Sequence, residues 1–207
     1  MSDEILSVGE WKSNADLIAD VAALGWIDHE MSVLDATYGL GRFWTKFRPA
    51  NLIGLDINPA KSDALWGPKD FRDLGLADRA FDAVVFDPPY KLNGTPSLDD
   101  FDAAYGIEVP TDWRDRMALI ADGAEECARV ARKHLLVKCQ DQVVSGKVRW
   151  QTDVVTEVVT AQGFRKADRF DYGAGRGRKQ PDGRTQRHAR HDASQLLVFT
   201  RGSVDNG

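Results

Sequence analysis

Short apolar runs that end in an aspartate, set between stretches of helical spacing, put the strictest limit on how this 207-residue chain can fold. Val33-Leu34 runs into Asp35, Leu52-Ile53-Gly54-Leu55 into Asp56, and Ala83-Val84-Val85-Phe86 into Asp87; a weaker run closes at Asp70-Phe71-Arg72-Asp73. Runs this short, β-branched and bounded by turn formers read as buried strands. Around them the period changes. Leu17, Val21 and Leu24 follow Ser13 and Asp16, which suit a capping box, and Gly25 suits a C-cap. Asn58-Pro59 reads as the cap and first position of another helix. Trp113, Met117, Ile120, Ala124, Cys127 and Ala131 keep a three-four spacing and predict a long helix covering the sheet. His134 to Cys139 is a further strand, and Val154, Val155, Val158 and Val159 form one more helical face closed by Gly163. Phe164 to Tyr172 and Gln195 to Thr200 are the last two strands.

Strands alternating with helices imply a parallel, doubly wound sheet. The final pair of strands, with no long helix between them, implies a hairpin that adds an antiparallel strand. The expected fold is α/β: a Rossmann-like, seven-stranded, mostly parallel sheet in a single domain spanning 1–207.

Composition enters where it excludes. A net charge of -5 argues against a protein that coats nucleic acid by charge alone. The charge is uneven, however. Between Gly173 and His191 lie Arg176, Arg178, Lys179, Arg184, Arg187 and Arg190 against one acid, Asp182. This basic loop is the candidate for phosphate contacts, and Lys147, Arg149 and Trp150 extend the same surface. No apolar run approaches the ~20 residues that span a membrane. Met1-Ser2-Asp3-Glu4 lacks the layout of a signal peptide. Cys127 and Cys139, in apolar surroundings and without metal-ligand spacing, predict no metal and a reduced, cytoplasmic setting. Residues 91–110, rich in Gly, Pro, Ser, Asn and Asp, read as an active-site or recognition loop.

Two motifs carry chemistry. In Asp35-x-x-x-Gly39-x-Gly41 the glycines allow a tight turn and close approach of a ligand to the backbone. The third glycine of a dinucleotide fingerprint is missing, since position 44 is Trp. An acid ahead of the glycines suits an ammonium group better than a pyrophosphate. Asp56, closing the next strand, is placed for ribose hydroxyls, and Asp70 for an adenine amino group, with Asp73 as its alternative. Lys12, Ser13 and Asn14 are candidates for the same pocket, although a cap explains Ser13 equally well. The second motif is Asp87-Pro88-Pro89-Tyr90. Consecutive prolines block a helix and hold the chain extended, so an acid and a ring stand together at a strand's carboxyl end. Asp87 and the Pro88 carbonyl offer two acceptors, and Tyr90 a stacking face.

With both motifs in place the chain resembles the class I S-adenosylmethionine-dependent methyltransferases. Within them it is similar to the D-P-P-Y amino-methyltransferases that modify adenine N6 or cytosine N4. The resemblance implies S-adenosyl-L-methionine held by Asp35, Thr37, Tyr38, Gly39 and Gly41 at the methionine part, Asp56 and Ile57 at the ribose, and Asp70 with Phe71 at the adenine. Asp87 would border both cofactor and substrate. It implies Asp87, Pro88, Pro89 and Tyr90 as the catalytic loop, and a nucleic-acid partner, DNA before RNA. Adenine is favoured because the motif begins with Asp. No separate target-recognition region fits in the chain, which leaves RNA, cytosine N4 and a non-catalytic nucleic-acid-binding module as alternatives. The oligomeric state stays open.

Overall fold

The structure is a computed structural model that describes residues 11–61, 63, 65–92, 112–173, 188–189 and 191–202. In chain order it contains α1 (Asn14–Ala23), β1 (Ser32–Asp35), a 3-10 turn (Arg42–Trp44), β2 (Asn51–Gly54), β3 (Phe81–Phe86), α2 (Trp113–Val130) and β4 (Ala131–Cys139). There follow β5 (Gln142–Val144), β6 (Lys147–Arg149), α3 (Gln151–Ala161), β7 (Phe164–Tyr172) and β8 (Ser194–Arg201). One six-stranded sheet has the order β2-β1-β3-β4-β8-β7. Its β2, β1, β3 and β4 pair in parallel, and β8 runs antiparallel to both of its neighbours. The single antiparallel strand expected from the sequence is therefore β8.

The alternation of side chains along each strand splits the core in two. Leu34, Val84, Phe86, Leu135, Val137 and Phe199 pack beneath Ile120, Ala124 and Cys127 of α2 and Val155 and Val159 of α3. Val33, Ala83, Val85, Leu136 and Val198 face Leu17, Ile18 and Val21 of α1, together with Phe43 and Trp44. Both faces are covered, which is why the strands read as continuous apolar runs. α2 sits low on its face because residue 123 is glycine: a Cβ there would lie 2.5 Å from Phe86 Cζ and 2.6 Å from the Phe71 ring.

Caps follow the sequence closely. Ser13 Oγ accepts from Asp16 N at 3.2 Å and donates back to Asp16 Oδ2 at 2.8 Å. Gly25 and Gly163 take φ of +83° after α1 and α3. Two expectations are corrected. The sheet has six strands, not seven, because Asp70 to Asp73 forms only an isolated bridge in which Asp70 pairs with Asp73. Residues 59–61, where a helix was expected to start, form a turn. There the Asp56, Asn58 and Asp63 carboxyl and amide oxygens each accept from the backbone N–H two residues on, which competes with helical bonding.

The β5–β6 hairpin was not anticipated. Its turn residues, Ser145 and Gly146, both have positive φ, 50° and 74°, as a two-residue hairpin loop demands. The chain's Ser-Gly between two Val-bearing runs was the available signal. The recognition-loop expectation, beyond residue 92, lies outside the described residues, as do Arg176, Arg178, Lys179, Arg184, Arg187 and Arg190.

Candidate active site at the carboxyl edge of the sheet

β1 neighbours β2 on one side and β3 on the other, so the strand order reverses at β1. In open α/β sheets the crevice outside such a switch point is where ligands bind. Asp35 ends β1 here and Asp87 follows β3 directly, which brings the two sequence motifs side by side. Ala36 N donates to Val85 O at 3.0 Å, and Asp87 N donates to Thr37 Oγ1 at 2.8 Å. The hydroxyl of the glycine turn thus fixes the first residue of the D-P-P-Y motif.

The turn is braced from below. Asp35 is 3% exposed; its Oδ1 accepts from Thr37 N at 3.0 Å and its Oδ2 from Trp44 Nε1 at 2.7 Å. Burial pushes this carboxyl up to about 7, against the two donors, and the nearby Asp87 and Asp56 add to the rise. Asp56 Oδ2 accepts from Gly39 N at 3.0 Å and its Oδ1 from Asn58 N at 2.8 Å, so the end of β2 grips the turn as well. Tyr38 N donates to Leu55 O at 2.9 Å. The Tyr38 ring then lies over residues 41 and 54. A Cβ at 41 would meet Tyr38 Oη at 2.6 Å, and one at 54 would meet Tyr38 Cγ at 2.3 Å. Above Gly39, by contrast, the backbone is open: a Cβ would meet only Thr37 O, at 3.8 Å. Gly39 is where a ligand can approach the chain.

Across the crevice, Asp87 Oδ1 is buried and accepts no hydrogen bond, and Lys138 Nζ of β4 lies 3.9 Å from it. Burial raises the Asp87 carboxyl, while the Lys138 charge opposes the rise. Tyr90 is pushed up to about 12, chiefly by burial and by Asp87, so its phenol stays protonated. Its loop is clamped from the hairpin and α3. Gln142 Nε2 and Gln151 Nε2 donate to Tyr90 O at 2.7 and 2.6 Å, and Gln142 Oε1 accepts from Leu92 N at 3.0 Å. Buried Arg116 donates from Nη1 to Lys91 O at 2.7 Å.

Not every expected residue arrives at the crevice. Phe71 is buried in the core, 5.1 Å from the Phe86 ring, rather than beside a ligand. Asp70 is tied to Arg72 by contacts of 2.5–3.1 Å that hold its carboxyl below the usual range. Its segment does reach the site, since Lys69 N donates to Asp56 O at 3.1 Å. Ile57 is partly exposed next to Asp56. Of the residues expected to extend the basic surface, Arg149 stacks its guanidinium 3.8 Å over the Trp113 ring, with Arg114 4.7 Å from that ring. Trp150 is 47% exposed and meets His191 edge-on at 5.2 Å.

Sequence reasoning passed over Lys138, Gln142 and Gln151. A polar residue inside or beside an apolar run was the available sign, because a central strand carries one only when a partner awaits it.

No family model and no curated protein matches the sequence. Solved structures do. Magnesium protoporphyrin IX methyltransferase (ChlM) from Synechocystis PCC 6803, with bound SAH, is 14% identical; the match covers 91% of this chain and 81% of that one, with a TM-score of 0.54. The [4+2]-cyclase SpnF is 14% identical over 93% of this chain and 86% of its own, with a TM-score of 0.52. The PH0226 protein from Pyrococcus horikoshii OT3 is 14% identical over 93% and 92%, with a TM-score of 0.50. A cyclase among them shows that this architecture alone does not fix a reaction. What these likenesses establish, with the strand order above, is that the chain has the class I methyltransferase fold.

Proposed function

We propose that the protein is an S-adenosylmethionine-dependent methyltransferase acting on an exocyclic amino group of a nucleobase, adenine N6 in DNA. The observation that carries the reading is the bond from Asp87 N to Thr37 Oγ1, which joins the glycine turn and the D-P-P-Y motif in one crevice.

The residues present fit that cofactor. Gly39 offers open backbone, Asp35 and Asp56 supply negative charge at two strand ends, and the acceptor set suits an ammonium and ribose hydroxyls. Asp35 acts through Thr37 and Trp44, holding the turn in shape. When bound, S-adenosylmethionine supplies a methyl group on a sulfonium.

A base's amino group is a poor nucleophile because its lone pair is delocalised into the ring. Asp87 and the Pro88 carbonyl each accept one N–H, favour a pyramidal nitrogen and free the lone pair. The nitrogen's surplus proton leaves toward Asp87 and solvent. Pro89 keeps the loop extended, and Tyr90, its backbone clamped by Gln142 and Gln151, presents a ring to a base extruded from its helix. Such stacking is worth ~1–3 kcal/mol. The Trp113, Arg149 and Trp150 surface supports a nucleic-acid partner, since both clamping glutamines flank it in sequence. The basic loop from Arg176 to Arg190 is proposed to add phosphate contacts.

The test is transfer of labelled methyl groups to DNA and RNA, followed by nucleoside mass spectrometry. Label is expected in N6-methyladenine from DNA. Asp87→Ala is expected to lose transfer while retaining cofactor binding by calorimetry. Full activity in that variant would overturn the mechanism, and label confined to RNA would move the substrate.

A further inference from the structure

Lys138 is a buried charge without a role in the reaction as drawn so far. It is 3% exposed, in the middle of the sheet, where an ammonium is costly to place unless partners receive it. Three kinds of partner do. Nζ donates to Asn14 Oδ1 at 2.8 Å, at the start of α1. The rings of Tyr172, Phe43 and Tyr90 surround it at 5.1, 5.5 and 5.6 Å, each within cation–π range. The fourth direction points to Asp87 Oδ1, at 3.9 Å, too long for a hydrogen bond and short for a charge pair. Oδ1 is itself buried and accepts no hydrogen bond, so the lysine is the group that answers it. The carboxyl side chain as a whole is 20% exposed, and its accessible part faces away from this buried oxygen.

We propose that Lys138 is a positioning residue of the active site: anchored by Asn14 and enclosed by three rings, it keeps the Asp87 carboxylate ionised and its accessible oxygen free for the substrate amine. This rests on the amino-methyltransferase reading above. The same ammonium packs against Tyr90, so one cation orients both the acceptor and the stacking ring.

The surrounding charges agree. Asp87 is faced by Asp35 from β1, Lys138 from β4 and the phenol of Tyr90 from its own loop. Tyr172 from β7, itself facing Asp16 of α1, borders the lysine. Asp35 and burial both disfavour a charged Asp87, and Lys138 opposes them. Removing the cation therefore makes Asp87 titrate at higher pH.

Lys138→Met keeps the volume and deletes the charge. It is expected to move the acidic limb of the kcat profile to higher pH by about one unit or more, with the cofactor Kd unchanged. Lys138→Arg is expected to restore much of the original limb. Asn14→Ala, which leaves the lysine in place without its anchor, is expected to shift the limb in the same direction but less. An independent readout is the carboxyl 13C titration of Asp87 by NMR in the substrate-free protein. An upward shift in Lys138→Met supports the pairing; an unchanged Asp87 titration overturns it, as does an unmoved acidic limb in an active variant. Wild-type protein that transfers no methyl group to any nucleobase, yet shows the NMR shift, overturns the functional reading and leaves the pairing standing.

Discussion

Asp35 shows how much a single carboxyl can report. Buried and pushed up to about 7, it is neutral for part of the physiological range even though Thr37 N and Trp44 Nε1 are aimed at it. A carboxyl whose folded value lies above its unfolded one weakens the fold increasingly as pH rises from about 4 to about 7. An ammonium arriving above the turn reverses this by favouring the charged form. Binding of the methionine-bearing cofactor at pH 6 is thus expected to release a proton, read as a calorimetric enthalpy that tracks the buffer's ionisation heat. In Asp35→Asn that dependence is expected to vanish. The sequence made this acid legible, since it closes an apolar run ahead of two glycines. It hid the brace, because nothing local announces that Trp44, nine residues on, supplies the second donor. Lys138 was hidden for a related reason: its partners Asn14, Asp87 and Tyr172 are brought in by three other elements.

Among the elements, the β5–β6 hairpin does what neither motif does alone. It carries Gln142, and the chain leaves it for Gln151 at the first position of α3; both amides meet at one carbonyl, Tyr90 O. The D-P-P-Y loop is held by the segment 50 to 61 residues further along, not by its own neighbours. Gln151→Leu leaves the Tyr90 carbonyl with one donor and Gln140 N without its acceptor. It is expected to cost about 1–3 kcal/mol in urea unfolding. Methyl transfer is expected to fall while cofactor affinity holds, because the glycine turn makes no contact with this clamp. Short elements such as this hairpin, three residues per strand, escape periodicity arguments that find an 18-residue α2 easily. The helix expected after Asn58 failed for the opposite reason. Its start signals were present, but three side chains bonded locally to the backbone instead.

At the scale of the molecule, the two ends of the sheet have different tasks. The carboxyl edge holds buried, strained charges; the amino edge holds satisfied ones. There Asp82 accepts from Ser32 N and Oγ at 3.1 and 2.9 Å and pairs with Arg132 and Lys133 at 2.8 and 3.0 Å, tying β1, β3 and β4. These donors hold its carboxyl far below the usual range despite its burial. Its contribution to stability is therefore complete above the unfolded value near 4 and lost as pH falls below it. Asp82→Asn is expected to lower the urea midpoint at pH 7 and to flatten its decline in acid, with ligand binding unchanged. The alternating pattern made the doubly wound sheet and its antiparallel strand legible. It over-counted the strands by one, because an apolar stretch ending in an acid also describes the bridge at Asp70.

The position of β8 has a consequence for how the protein is made. It is the last of the six strands in chain order, yet it lies between β4 and β7. While the polypeptide emerges from the ribosome, β4 and β7 each present an unpaired edge, and neither can close on the other. The sheet is completed by insertion of residues 194–201 into that gap, so a nascent chain halted before them is a sticky intermediate for chaperones to shield.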